Sequence, residues 1–155
     1  MQTGLEKLSD KEKELIQKAP LLVCILIAGA DNEIDRKEIK HAVQLSRKKK
    51  NKYSPALASF YEDLSEDFED KLKIVLQGLP VHTLDRNSLI VQDLTNLNGI
   101  FRKLEYSFAQ EFIQSLKYVA RSIAESSGGM LGLKSIGEDE SRLIELPMLK
   151  ELPGP

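Results

Sequence analysis

A single cysteine, Cys24, stands in this 155-residue chain, so no internal disulfide can form. It lies inside Leu21-Leu-Val-Cys-Ile-Leu-Ile-Ala28, a setting that makes a buried, unreactive thiol. No long hydrophobic run is present either. The longest, Pro20–Ala30, is about half of what a bilayer requires. The opening MQTGLEKLSDKEKE carries acids where a signal peptide has a basic and then an apolar stretch, so the expected compartment is the cytoplasm. Charge of one sign is lacking: 22 cations against 24 acids leave a net charge of −2. No global field calls for nucleic acid, and no basic stripe with interleaved aromatics is present. Alternation with period two is never sustained, and β-branched clusters are few.

The chemistry-bearing motifs of common enzymes are missing as well. His41 and His82 have no motif context, and no Ser-His-Asp or Cys-His set is apparent. They also lack the pair spacing that zinc requires. Ser126-Ser-Gly-Gly-Met-Leu-Gly132 shares only glycine content with a phosphate loop. It has neither the G-x-x-x-x-G-K-[ST] spacing nor a preceding strand. The chain is therefore expected not to be an enzyme.

Helical spacing is what remains, and it covers the chain. Hydrophobic residues are 41% and charged residues 30%, the make-up of a polar globular protein large enough for a real core. Ser9-Asp-Lys-Glu12 forms a capping box for a short first helix to about Lys18. Pro20 suits the first position of a second helix, apolar on nearly all sides and hence central. Asp35 and Glu38 open a third helix with Ile39, Ala42 and Val43 inward. Ser54-Pro55 starts a fourth, with Leu57, Phe60, Tyr61 and Leu64 inward. Ser65 caps a fifth, with Phe68, Leu72, Val75 and Leu76 on its apolar face, closed by Gly78-Leu-Pro80. Asp85 caps a sixth, in which Asn98-Gly99 marks a kink or split. Glu105–Ser126 is a long seventh with the stripe Phe108, Phe112, Leu116, Val119, Ile123. A short last helix runs from about Glu138 to before Pro147. Leu149 and Leu152 dock the tail, and residues 153–155 fray. The expectation is one all-α domain, a compact bundle of about seven helices with its core at about 9–152.

Two acidic junctions stand out. At Ala28-Gly-Ala-Asp-Asn-Glu-Ile-Asp-Arg-Lys-Glu38 an apolar run gives way to acids within a few residues, which puts carboxylates at the rim of a core helix. A cation, or a partner's cation, could dock there. A weak internal repeat follows from it. Ala28-Gly-Ala-Asp31 with Ile34…Glu38 is echoed by Ala124-Glu-Ser-Ser127 with Ile136…Glu140, across a loop six residues longer. The first copy resembles the A-D-G-x-I-x-x-x-E signature of the TerB-like, tellurite-resistance family, and the second resembles that family's A-x-x-S-G-G…I-S-x-x-E segment. The resemblance spans about Pro20–Leu146. Asn32 replaces the usual glycine and Gly137 the usual serine or threonine. Asn tolerates a left-handed turn and Gly is an acceptable N-cap.

What the resemblance implies is an all-helical fold with a pseudo-repeat, a part in tellurite and stress resistance, and a divalent cation held at the junctions. Matched motif by motif, the metal ligands would be Asp31, Asp35, Glu38 and Glu140. Carboxylate oxygens suit Ca²⁺, Mg²⁺ or Mn²⁺. An EF-hand is excluded, because Arg36 and Ala42 stand where its glycine and closing glutamate belong. The same acids also have a purely structural reading: Asp35 with Glu38 is a capping box, stabilising a helix start by about 0.5–2 kcal/mol without metal. The alternative function is thus a non-catalytic protein-interaction scaffold whose acids only cap helices. The basic run Arg47-Lys-Lys-Lys-Asn-Lys52 completes a helix C-terminus or forms a phosphate or acidic-partner patch.

Overall fold

Ser9 opens the first helix with a reciprocal cap. Its hydroxyl accepts from the Glu12 N–H at 3.2 Å, and its own N–H donates to Glu12 Oε1 at 3.0 Å. In the computed structural model, which describes residues 3–28, 52–126, 143–150 and 152, the helix that follows, α1, runs unbroken over Asp10–Ala28. The two helices expected on either side of Pro20 are one. Proline inside a helix loses one ladder hydrogen bond and crowds the preceding turn, a cost of about 3 kcal/mol. Leu22, Val23, Cys24, Ile25 and Leu26, just past it, are fully buried. At about 1.5–3 kcal/mol for each large apolar side chain, their burial outweighs the defect.

Helix α2 covers Pro55–Ser65 with Ser54 as its cap and Pro55 at its first position. Leu57, Tyr61 and Leu64 are buried, and Phe60 is half-buried against the core. Helix α3, Phe68–Gln77, takes Asp67 as its cap, in the left-handed region at φ 51°. Ser65, the expected cap, instead closes α2, its hydroxyl donating to the Glu62 carbonyl at 2.7 Å. Aspartate tolerates the left-handed conformation better than most residues, which lets Asp67 make the turn.

Helix α4, Thr83–Phe101, starts earlier than the expected cap. His82 takes the cap position, and Asp85 sits in the first turn, where the helix dipole favours an acid. Asn98-Gly99 does not split the helix, which runs through both residues to Phe101. A methyl added at Gly99 would meet nothing within 4 Å. Gly99→Ala is therefore expected to stabilise the protein by about 0.5–1 kcal/mol through helix propensity alone. A rise in the urea midpoint at unchanged slope checks this.

Helix α5, Tyr106–Ser126, carries the stripe read from the sequence. Phe108, Phe112, Leu116, Val119 and Ile123 are all 0% exposed. These five α-helices and a 3₁₀ turn, Leu5–Lys7, are the regular elements among the described residues, with no strand. Of the helices expected beyond these, the one from Asp35 lies outside the described residues, as does the start of the one from Glu138; that helix stops at Leu143 rather than just before Pro147, because Leu146 takes the left-handed conformation at φ 51°. Among the described residues no helix is long and apolar enough to cross a membrane.

Central α1 packs on α3, α4 and α5. Its direction is set by its start. The Glu105 N–H donates to the Thr3 carbonyl at 2.9 Å, and Lys103 Nζ pairs with Glu12 at 2.8 Å. The beginnings of α1 and α5 therefore lie side by side. Farther along, Phe60 bridges the same two helices. It shares a groove with Leu21 and meets the Phe112 ring edge-on at 5.3 Å. The correspondence stays in step, so α1 and α5 run parallel and leave the core at the same end.

The carboxy-terminal segment returns over α4. Asn98 holds it by both ends of its amide: Nδ2 donates to the Met148 carbonyl at 2.8 Å, and Oδ1 accepts from the Lys150 N–H at 2.9 Å. Leu146 and Leu149 are buried and Leu152 packs against the core, as expected for the last two.

Candidate functional site

The four carboxylates expected to hold a cation, Asp31, Asp35, Glu38 and Glu140, all lie outside the described residues, as does His41. Among the described residues no group of three or more His, Cys, Asp or Glu is placed to hold a metal. What is described is the approach to both junctions. Asp31 follows the end of α1 by three residues, and Glu140 follows the end of α5 by fourteen. Fourteen residues reach up to about 50 Å, and three about 10 Å. Glu140 is also tethered from behind, three residues before Leu143, which packs on the core. Parallel α1 and α5 thus start both acidic segments from one end of the bundle.

Cys24 is fully buried, and burial pushes its thiol well above the ordinary range. That removes the thiolate a nucleophile needs. Tyr61 is buried beside it. Burial drives its phenol far up, so the hydroxyl stays protonated and bonds Ser115 Oγ at 2.7 Å. The Ser115 hydroxyl in turn donates to the Phe112 carbonyl at 2.6 Å. This polar chain through the core is satisfied at each step, as buried polar groups must be. At the surface, the bond from Lys103 lowers the Glu12 carboxyl, with the Ser9 N–H adding to it.

The described surface includes these two grooves. One, of about 400 Å³, lies between α1, α2 and α3 and is mostly apolar, with Leu21, Phe60, Leu64 and Val75 in its walls. Ile74 lines it at 67% exposure; Val81 at 97% and Leu84 at 73% are the other large exposed apolar residues. The second groove, of about 520 Å³, runs along α5 and includes Lys52, Tyr53, Glu111, Gln114, Tyr118 and Arg121. Glu111 spends both carboxylate oxygens on Ser54, accepting from its N–H at 3.0 and 3.2 Å and from its hydroxyl at 2.6 Å. That contact fixes the start of α2 against α5. The Tyr53 ring stacks on Tyr61 at 5.7 Å, and its hydroxyl is buried without a partner. Burial first, then Tyr118 and Glu111, raise this phenol to about 12.

The sequence analysis does not single out this second groove. Its signal was there: Gln110, Gln114, Tyr118 and Arg121 recur at offsets of four and three along the face of α5 away from the apolar stripe, a spacing that aligns side chains on one face.

No family model matches the chain, and no curated protein or solved structure matches it either.

Proposed function

We propose that the chain is a non-catalytic helical module of the TerB-like kind, acting in a stress response and binding a divalent cation between its two acidic junctions. Asp31, Asp35, Glu38 and Glu140 would supply the oxygen ligands. The observation that supports this reading is the parallel course of α1 and α5, so that the chain leaves both helices at one end of the bundle. Family kinship rests on the two motifs alone. Helices at about 35–48 and from about 138 to Leu143 would bring the count to seven and present Glu38 and Glu140 in their first turns. A carboxylate shell of this sort selects hard cations, with Ca²⁺, Mg²⁺ and Mn²⁺ as the candidates.

The test is melting of chelator-treated protein with and without each cation. Free cation at a hundred times Kd adds about 2.7 kcal/mol, which raises Tm by about 5–10 °C at this chain length. Asp31→Asn with Glu38→Gln should abolish the rise. A flat response in the unaltered protein overturns the reading.

A second reading has its own support. Ile74, Val81 and Leu84 are exposed beyond what a chain rich in polar residues needs, and Ile74 borders the apolar groove. They suit a scaffold that docks a protein partner through α3 and the start of α4. In that case cations leave Tm unchanged, and the acid substitutions cost only cap-sized stability, about 0.5–2 kcal/mol.

A further inference from the structure

We propose that the carboxy-terminal segment Leu143–Leu152 is a tethered ligand, and that the α4 surface around Asn98 is a docking site for a partner protein's segment with leucine at every third residue. The inference is independent of the cation reading, and the seat lies at the opposite end of α4 from Leu84. Leu143, Leu146, Leu149 and Leu152 recur at intervals of three. The Leu146 N–H donates to the Leu143 carbonyl at 2.9 Å, and the Leu149 N–H donates to the Leu146 carbonyl at 3.0 Å. Two tandem turns thus each run from leucine to leucine. The leucines are also what the segment buries. Leu146 and Leu149 are buried and Leu143 and Leu152 pack against the core, while Glu145, Pro147 and Lys150 are exposed.

The way the segment is held sets it apart from the helices. Among the described residues, no backbone–backbone hydrogen bond and no ion pair joins it to the rest of the protein; its backbone bonds close only its own turns. The Asn98 amide makes the polar attachment, and both of its bonds go to main-chain groups that flank Leu149. Peptide-docking domains divide recognition in the same way: bonds to the main chain hold any sequence, and seated side chains select. A foreign chain that offers a carbonyl and an N–H around one leucine, with further leucines three residues off, satisfies the same seat. Leu146 supplies a reason for exchange. It is held at φ 51°, a conformation that glycine fills far more readily than leucine, and Pro147 restricts it further. Such strain persists only while the surroundings impose it, and it gathers at clamps and switch regions. Release of the segment relaxes Leu146, which biases this contact toward opening.

Two measurements test it. Amide hydrogen exchange on the unaltered chain should find Leu146 and Leu149 about a hundredfold or more less protected than Leu116, in the middle of α5, as expected for a segment that detaches while the helices stay folded. Equal protection overturns the proposal, because the segment then opens only with the whole fold. In the second, Leu146→Asp with Leu149→Asp in the full chain vacates the seat. The probe is the synthetic peptide Leu-Ile-Glu-Leu-Pro-Met-Leu-Lys-Glu-Leu, titrated calorimetrically. The vacated chain should bind it about tenfold or more tighter than the unaltered chain, whose tethered segment competes. Asn98→Ala, added to the vacated chain, should weaken the peptide about tenfold, as expected for losing two hydrogen bonds. A peptide carrying the same two aspartates should not bind. A vacated chain without a cooperative melt overturns the proposal, since a detachable segment does not carry the fold. So does a folded vacated chain that ignores the peptide, or that binds it equally with and without Asn98. A doubling of mass on concentrating the unaltered chain would overturn the foreign partner in favour of a second copy's own segment.

Discussion

Phe112→Ala should lower the melting temperature by about 10 °C or more. The ring is 0% exposed at the meeting point of three helices. It contacts Phe60 of α2 at 5.3 Å, Phe101 of α4 at 6.0 Å and Phe108 of its own helix at 6.3 Å. Truncating a buried phenylalanine costs about 3–5 kcal/mol, more where the surroundings cannot close over the gap. The neighbours here are three flat rings on helices fixed from elsewhere, so collapse is poor. At about 2–4 °C per kcal/mol for a protein of this length, the loss is easily resolved by calorimetry. Phe60→Ala is the informative comparison. Phe60 already faces the apolar groove and is half-buried, so its removal opens a surface notch that water can fill. A Phe112→Ala shift no larger than that of Phe60→Ala would show that the aromatic junction is not the centre of the core.

The same helix shows why part of the fold was legible. Apolar residues at offsets of four and three leave one face to bury, and no local signal opposes that pattern in α5. Pro20 was misread because a helix-breaking rule is local, whereas the burial that overrides it comes from α3, α4 and α5. Ser65, Glu66 and Asp67 are all credible caps by type. Which one caps was decided by a left-handed turn, to which composition is blind. Asn98-Gly99 has the make-up of a turn, yet the Asn98 amide is spent on backbone groups 50 and 52 residues away. A partner that distant leaves no trace in local spacing. The candidate cation site divides the same way. Its carboxylates rest on motif alone and lie outside the described residues, and the parallel course of α1 and α5 adds a common point of departure that no motif contains. The polar groove draws on Lys52 and Tyr53 ahead of α2 and on one face of α5. It exists only once those segments are packed.

Gly4→Ala should cost about 2–3 kcal/mol, a large effect for one methyl group near a chain end. Gly4 has φ 85°, and a Cβ there would sit 2.9 Å from both Leu104 Cα and the Lys103 carbonyl oxygen. Both are backbone atoms of the link between α4 and α5, so no rotamer change relieves the contact. The left-handed conformation adds about 1–2 kcal/mol for a residue with a side chain. The chain has one escape, which is to lift the amino-terminal turn off the link. That gives up the bond from the Glu105 N–H to the Thr3 carbonyl and the burial of Leu8, together about 3 kcal/mol. The observed cost is the smaller of strain and detachment, which bounds it. Hydrogen exchange distinguishes the two. Detachment strips protection from the Glu105 amide while that of Leu116, in the middle of α5, remains. Gly4→Asn separates the two sources of strain. Asparagine accepts positive φ more readily but carries the same Cβ, so a penalty close to that of alanine points to the close approach of backbone to backbone. A near-complete recovery of stability in Gly4→Asn would instead assign the cost to the dihedral alone.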